Sequence, residues 1–220
     1  MDRPDARAID ERMMRRCFTL AMKSAEQGEY PYGAVIVRNG EVVAESTNCV
    51  ARDRDVTRHA EVVAISEAQK TFGSTNLDDC TIYANVEPCA LCSYAIRESR
   101  IARVVYAMRS PIMGGVSRWN ILDDRKLSDT MPEVFARPPD LVRDFLCEEA
   151  NETLRRSSPV AWAFLLAGGL LDTRSRGIAD ADSVHLGTAR QSDGFIGAKD
   201  RLMRVLRKKL FDRFGRGGVS

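Results

Sequence analysis

The chain predicts an α/β fold: a sheet that leans parallel, opens with one antiparallel hairpin and is covered by helices on both faces. Three observations predict it. Short β-rich runs alternate with helical periodicities in the order α-β-β-α-β-α-β-β-α, the pattern of strands joined through helices. Asn39-Gly40 joins "YGAVIVRN" (32–39) to "EVVAESTN" (41–48), and that dipeptide between β-rich runs is the strongest short-range hairpin signal. "CTIYANV" (80–86) reads as a buried strand.

Taken in order, residues 8–27 place Met13, Cys17, Leu20, Ala21 and Ser24 on one helical stripe, and Gly28 stops that helix. The hairpin over 32–48 follows. Thr57 stands where it can cap a helix running through His59 and Glu61 to about Lys70. Pro88 suits the first turn of a helix carrying Cys89 and Cys92, and "ARVVYAM" (102–108) is the next strand. The loop over 109–132 is long enough to imply a functional or covering role. A short strand near 133–136 and a helix over 139–156 complete this unit. No internal repeat is present.

At 220 residues, 44% of them hydrophobic, the chain is long enough for one cored domain with an appendage. The expected division is a domain over 1–157 and a C-terminal extension over 158–220. Charge is uneven: residues 1–150 carry 20 Lys+Arg and 24 Asp+Glu, net −4, while residues 151–220 carry 13 and 7, net +6. Any attraction to nucleic acid therefore comes mostly from the extension. There, Leu202, Val205, Leu206, Leu210 and Phe211 form the stripe of a basic amphipathic helix, read foremost as a docking helix with a solvated basic face. No apolar segment follows the N-terminal "MDRPDARAIDERMMRR", and the run "PVAWAFLLAGGLL" (159–171) falls short of the ~20 residues that span a bilayer. Six cysteines in a chain with no secretory signal read as reduced thiols, so a cytoplasmic location without membrane attachment is expected.

The chemistry concentrates in "HAEVVAISEA" (59–68) and "VEPCALCSYAI" (86–96). Cys89 and Cys92 stand at i and i+3, so one helical turn points both sulfurs the same way, and a helix N-terminus favours thiolates. His59 supplies a third zinc donor from another helix start. A fourth is missing: His185 lies far away in the extension, and strand alternation points Cys80 away from the helix starts. Three protein ligands with an open position is the catalytic arrangement of zinc, whereas structural sites are closed by four. Glu61 reaches the same cavity if His59 sits at the irregular first turn. A carboxylate there can take a proton from metal-activated water, whose pKa falls from ~15.7 to ~7, and deliver it to a leaving amine. Backbone N–H groups at the start of the Cys89 helix can steady the oxyanion that forms.

His59-Ala60-Glu61 with Pro88-Cys89-Ala90-Leu91-Cys92 matches the signature of zinc deaminases. From about residue 8 to 156 the chain resembles the cytidine/deoxycytidylate deaminase superfamily, in the branch holding guanine deaminases and tRNA adenosine deaminases. "PYGAVIV", Asn48, "DVTRHAE", "EPCALC" and "SRIARVVYA" follow the family's order, while "RSPIMGGVSRWN" stands where the tRNA enzymes carry a DPKxGA-like loop. The resemblance implies a three-layer α/β/α fold with a five-stranded mixed sheet. It implies one zinc per chain on His59, Cys89 and Cys92, Glu61 as proton shuttle, Asn48 as a base contact and a homodimer. Ala60 joins the substrate-facing set, and Tyr32 and Trp119 are candidates to stack on a base, although such aromatics are more often core.

The expected activity is hydrolytic deamination of a small purine-like base or nucleoside. One alternative is deamination of adenosine to inosine in tRNA, which the net negative charge of 1–150 disfavours. Another is a non-catalytic, zinc-stabilised nucleic-acid-binding relative. Glu61 speaks against the latter, because a structural site has no use for that carboxylate. With the zinc donors and Glu61 inside 1–156, catalysis is expected not to need the extension.

Overall fold

The computed structural model describes residues 3–173. Helix α1 (Arg3–Glu26) leads into the hairpin β1 (Gly33–Arg38) and β2 (Glu41–Thr47). A short α2 (Val50–Asp53) precedes α3 (Ala60–Phe72), β3 (Cys80–Val86), α4 (Ala90–Glu98) and β4 (Arg103–Met108). Then come α5 (Arg125–Thr130), β5 (Asp140–Val142), α6 (Cys147–Ser157) and α7 (Pro159–Ala167). The five strands form one mixed sheet in the order β2-β1-β3-β4-β5. β1 pairs antiparallel with β2 and β3, whereas β3–β4 and β4–β5 are parallel.

Strand alternation divides the core into two layers. Ala34 and Ile36 of β1, Ile82 of β3, and Val104 and Tyr106 of β4 pack with Ala60, Ala64, Ile65 and Ala68 of α3. Helix α1 packs on β1 and β3 and against α6, burying Met13, Met14, Cys17 and Phe18. Helices thus cover both faces, a three-layer α/β/α arrangement. The hairpin turns at Asn39 (φ 53°) and Gly40 (φ 83°), the left-handed pair that suits the twist of the flanking strands. Asp10 of α1 accepts both guanidinium nitrogens of Arg103 (2.7 and 2.6 Å) and the Tyr83 hydroxyl (2.7 Å), which pins the helix over the sheet centre.

Local expectations fail where tertiary partners take the relevant groups. Thr57 does not cap α3, since its N–H and hydroxyl both bond Asp55 (2.8 and 2.7 Å), and His59 is the N-cap residue instead. Pro88 precedes α4, whose N-cap is Cys89. The strand expected near 133–136 lies at Asp140–Val142, within the span expected to be helical. Its expected site is unavailable for pairing because the Glu133 and Ala136 carbonyls are taken by Arg100 (2.9 Å) and Arg97 (3.0 Å). Pairing begins just after Pro138-Pro139, where Asp140 N–H bonds Ala102 O (2.9 Å). Asp144 (φ 58°) and Leu146 (φ 56°) then delay α6 to Cys147.

The boundary expected at 157/158 falls inside a compact unit that runs Met1–Arg174. Phe164, Leu165 and Leu171 are buried in it, and Asp172 bridges to Arg109 (N–H to O, 2.9 Å). The basic helix expected at 199–214 and His185 lie outside the described residues. Among the described residues, no helix is long and apolar enough to cross a membrane. We expect a chain ending at Ser158 to be less stable than one ending at Arg174, by on the order of 3–5 kcal/mol for the lost burial. Urea unfolding of the two chains measures this, and equal midpoints would contradict the packing of α7.

Candidate active site

Two helix starts and two strand ends converge. β3 and β4 run parallel, and beyond their carboxyl ends, where α/β sheets place their ligands, the chain turns through Glu87-Pro88-Cys89 and through Arg109-Ser110. Cys89 (φ −69°, ψ 176°) and His59 (φ −65°, ψ 149°) are extended N-cap residues of α4 and α3. Each side chain therefore leaves its helix at the first turn, and the positive end of each helix dipole faces the site.

His59 Nδ1 lies 3.4 Å from Cys89 Sγ and 3.5 Å from Cys92 Sγ, and the two sulfurs are 3.6 Å apart. This donor set fits zinc. Tetrahedral zinc at ~2.3 Å from sulfur and ~2.0–2.1 Å from nitrogen sets sulfur–sulfur edges of about 3.8 Å and sulfur–nitrogen edges of about 3.6 Å. All three observed separations agree to about 0.2 Å. No other group of three or more His, Cys, Asp or Glu is gathered this way among the described residues. Cys80 is buried in the core with the α3 layer, away from the donors.

The electrostatics prepare the donors. A hydrogen bond from Cys92, aided by His59, lowers the Cys89 thiol to about 4 against the cost of burial. The same contact, with burial and the charge of Glu61, holds the Cys92 thiol well above its ordinary value. The two thiols are thus electrostatically coupled, and a metal ion would bind them as thiolates with release of protons. Burial, reinforced by the Cys89 charge, pushes the Glu61 carboxyl up to about 7.

His59, Glu61 and Cys89 open onto one cavity, whose wall includes Tyr32 and Gly33. Cys92 lies behind Cys89 and is fully buried. Ala60 is buried at the start of α3 and does not line the cavity. Asn48 sits behind Tyr32: its N–H bonds Tyr32 O (3.0 Å) and its side-chain amide donates to Glu29 (2.9 Å). Trp119 lies outside the lining, 54% exposed, with the Arg118 guanidinium 5.3 Å from its ring.

The remaining wall is not marked out by the sequence: Asn85, Val86, Glu87, Ser110, Met113 and Leu170. A signal existed for Asn85 and Glu87. Asn85 is polar within an apolar strand, and a buried amide must be satisfied; it donates to Pro31 O (2.9 Å) and accepts Gly33 N–H (2.9 Å). Glu87 is a charge wedged between that strand and Pro88. Leu170 lies beyond the expected boundary, so the zinc donors and Glu61 fall within 1–156 while the cavity wall does not.

A family profile described as the cytidine and deoxycytidylate deaminase zinc-binding region matches residues 7–108. A tRNA-specific adenosine deaminase of Aquifex aeolicus is 41% identical over 109 residues, 49% of this chain and 72% of its own length. A guanine deaminase of Bacillus subtilis is 44% identical over 98 residues, 44% of this chain and 63% of its own. A structure solved in work on A-to-I editing by tRNA:A34 deaminases at the wobble position is 30% identical, with a TM-score of 0.57. It matches 66% of this chain and 99% of its own.

Metal analysis of the full-length protein is expected to give about one zinc per chain. Cys92→Ala should lose it, and Trp119→Ala, outside the cavity, should keep it. Full zinc content in Cys92→Ala would contradict the assignment of the donors.

Proposed function

The chain belongs to the cytidine and deoxycytidylate deaminase family, and from that premise we propose that it hydrolyses the exocyclic C–N bond of an amino-substituted purine, presented as a free base or nucleoside. Water enters and ammonia leaves. The observation that carries this reading is the opening of the Glu61 carboxylate into the same cavity as the His59/Cys89 donors. His59, Cys89 and Cys92 would hold zinc, which when bound supplies Lewis-acid activation of water.

The chain's own part is to hold the ring and move the proton. Glu61 is the group for the proton: buried, with its carboxyl raised by that burial, it opens into the cavity where it can take a proton and hand it to the departing amine. Tyr32, Gly33, Met113 and Leu170 are part of the wall of the cavity that would take the ring. Asn85, held on both amide atoms, is a fixed element of the wall. Asn48 acts through Tyr32, which it braces. A homodimer belongs to the same proposal, supported by the exposed apolar Leu91 and Tyr94 on α4 and checked by light scattering.

A small substrate is supported by the net negative charge of residues 1–150, since phosphate contacts require Lys and Arg and make binding salt-dependent. A second reading, adenosine in tRNA, is favoured by the Aquifex aeolicus relative and by the A-to-I editing structure.

Ammonia release from guanine, adenine, cytosine, their nucleosides and an adenosine-34 tRNA hairpin separates the two. Turnover of a purine base or nucleoside is expected, and turnover of the hairpin alone would establish the second reading. With the active substrate, Glu61→Gln should keep zinc and fold while losing ~10²–10⁴-fold in kcat. Unchanged kcat in that variant would show that another group moves the proton.

A further inference from the structure

We propose that Glu87 is a positioning residue that docks the 110–117 loop onto the cysteine helix and so sets the cavity wall facing the donors. The inference rests on the reading that this cavity takes the substrate. Glu87 is 3% exposed and, among the described residues, has no salt-bridge partner. Its carboxylate is held by four donors from a single loop. Oε2 accepts Ser110 N–H (2.9 Å) and the Ser117 hydroxyl (2.6 Å). Oε1 accepts Val116 N–H (2.9 Å) and Ser117 N–H (2.7 Å).

A buried carboxylate is costly unless fully hydrogen-bonded, and four donors satisfy both oxygens. Its backbone N–H bonds Met108 O (2.8 Å), so Glu87 is fixed to the end of β4 as well. The loop then lies directly on the metal-donor segment: Gly114 pairs with Cys89, and Gly115 N–H bonds Pro88 O (2.8 Å). That approach admits no side chain. A Cβ at Gly114 would overlap the Glu87 carboxylate, and one at Gly115 would overlap Ser93 Oγ, which is itself buried and bonded to Pro88 O.

The loop "RSPIMGGVSRWN" therefore has a use its composition does not reveal. Its two glycines let it sit on Glu87, and Glu87 sets where Ser110 and Met113 enter the cavity. Ser110 loses its acceptor when Oε2 becomes an amide nitrogen. The wall then shifts while His59, Cys92 and Glu61, held by α3 and α4, stay in place. Such a change weakens binding of substrate and transition state alike, which appears in KM and not in kcat.

The test uses full-length, zinc-loaded protein carrying Glu87→Gln, with Ser117→Ala as a milder variant that removes one of the four bonds. Glu87→Gln should raise KM about tenfold, with kcat within about threefold and zinc content unchanged. Ser117→Ala should move KM less, in the same direction. Amide hydrogen exchange should quicken over 110–117 and stay slow through β3, β4 and α4. In a double-mutant cycle, Gly114→Ala should cost less in a Glu87→Ala background than alone, because the overlapping carboxylate is gone.

Unchanged KM, zinc lost in step with activity, undisturbed exchange over 110–117, or strictly additive Gly114 and Glu87 effects would each overturn the proposal. If the unsubstituted protein deaminates nothing in the substrate panel, the proposed function fails first. The exchange arm and zinc content then decide the role of Glu87 alone.

Discussion

Three donor atoms on two segments 30 residues of chain apart have to arrive within 3.6 Å of one another, and the rest of the structure follows from that requirement. His59 and the cysteine pair belong to different helices, so no local preference brings them together. The sheet does. β3 runs straight into Cys89 and is flanked by β1 and β4, while α3 packs on β1, β2 and α4, which fixes both helix starts beside the same strand ends. Small residues on the inner face of α3, Ala60, Ala64 and Ala68, allow that close approach. Asp10, bridging Arg103 and Tyr83, holds α1 across the opposite face.

Around the donors the protein buries carboxylates and gives each a distinct task through its partners. Burial and the neighbouring Cys89 raise the proton affinity of Glu61. Glu29 accepts the Asn48 amide and the N–H groups of Ala51 and Arg52, which stabilises the start of α2 and the residue behind Tyr32. Glu87 takes four donors and shapes a wall. The same side-chain chemistry thus meets the metal-donor cavity in one place and serves architecture in two others.

The donors and the start of the fold were legible in the sequence because their signals are local. An Asn-Gly turn, an apolar strand and a His-x-Glu followed by Pro-Cys-x-x-Cys each declare themselves within a few residues. The location of β5 is not legible locally because it depends on Arg97 and Arg100, which take carbonyls 39 and 33 residues away. Thr57 does not cap α3 because Asp55, two residues earlier, holds its N–H and hydroxyl in a local turn, and the helix starts two residues later at the His59 N-cap. Ser110, Met113 and Leu170 carry no motif; only the path of the chain brings them to the cavity. Trp119 shows the converse, an aromatic residue with a plausible chemistry and an exposed position.

A zinc ion held by His59, Cys89 and Cys92 alone would keep one position open. Zinc-edge X-ray absorption of the full-length protein measures it most directly, because sulfur and lighter ligands fall at different distances. Two sulfurs at ~2.3 Å and two nitrogen or oxygen neighbours at ~2.0–2.1 Å are expected, one of them from outside the protein. A third sulfur in the zinc shell would mean a closed, structural site and would contradict it.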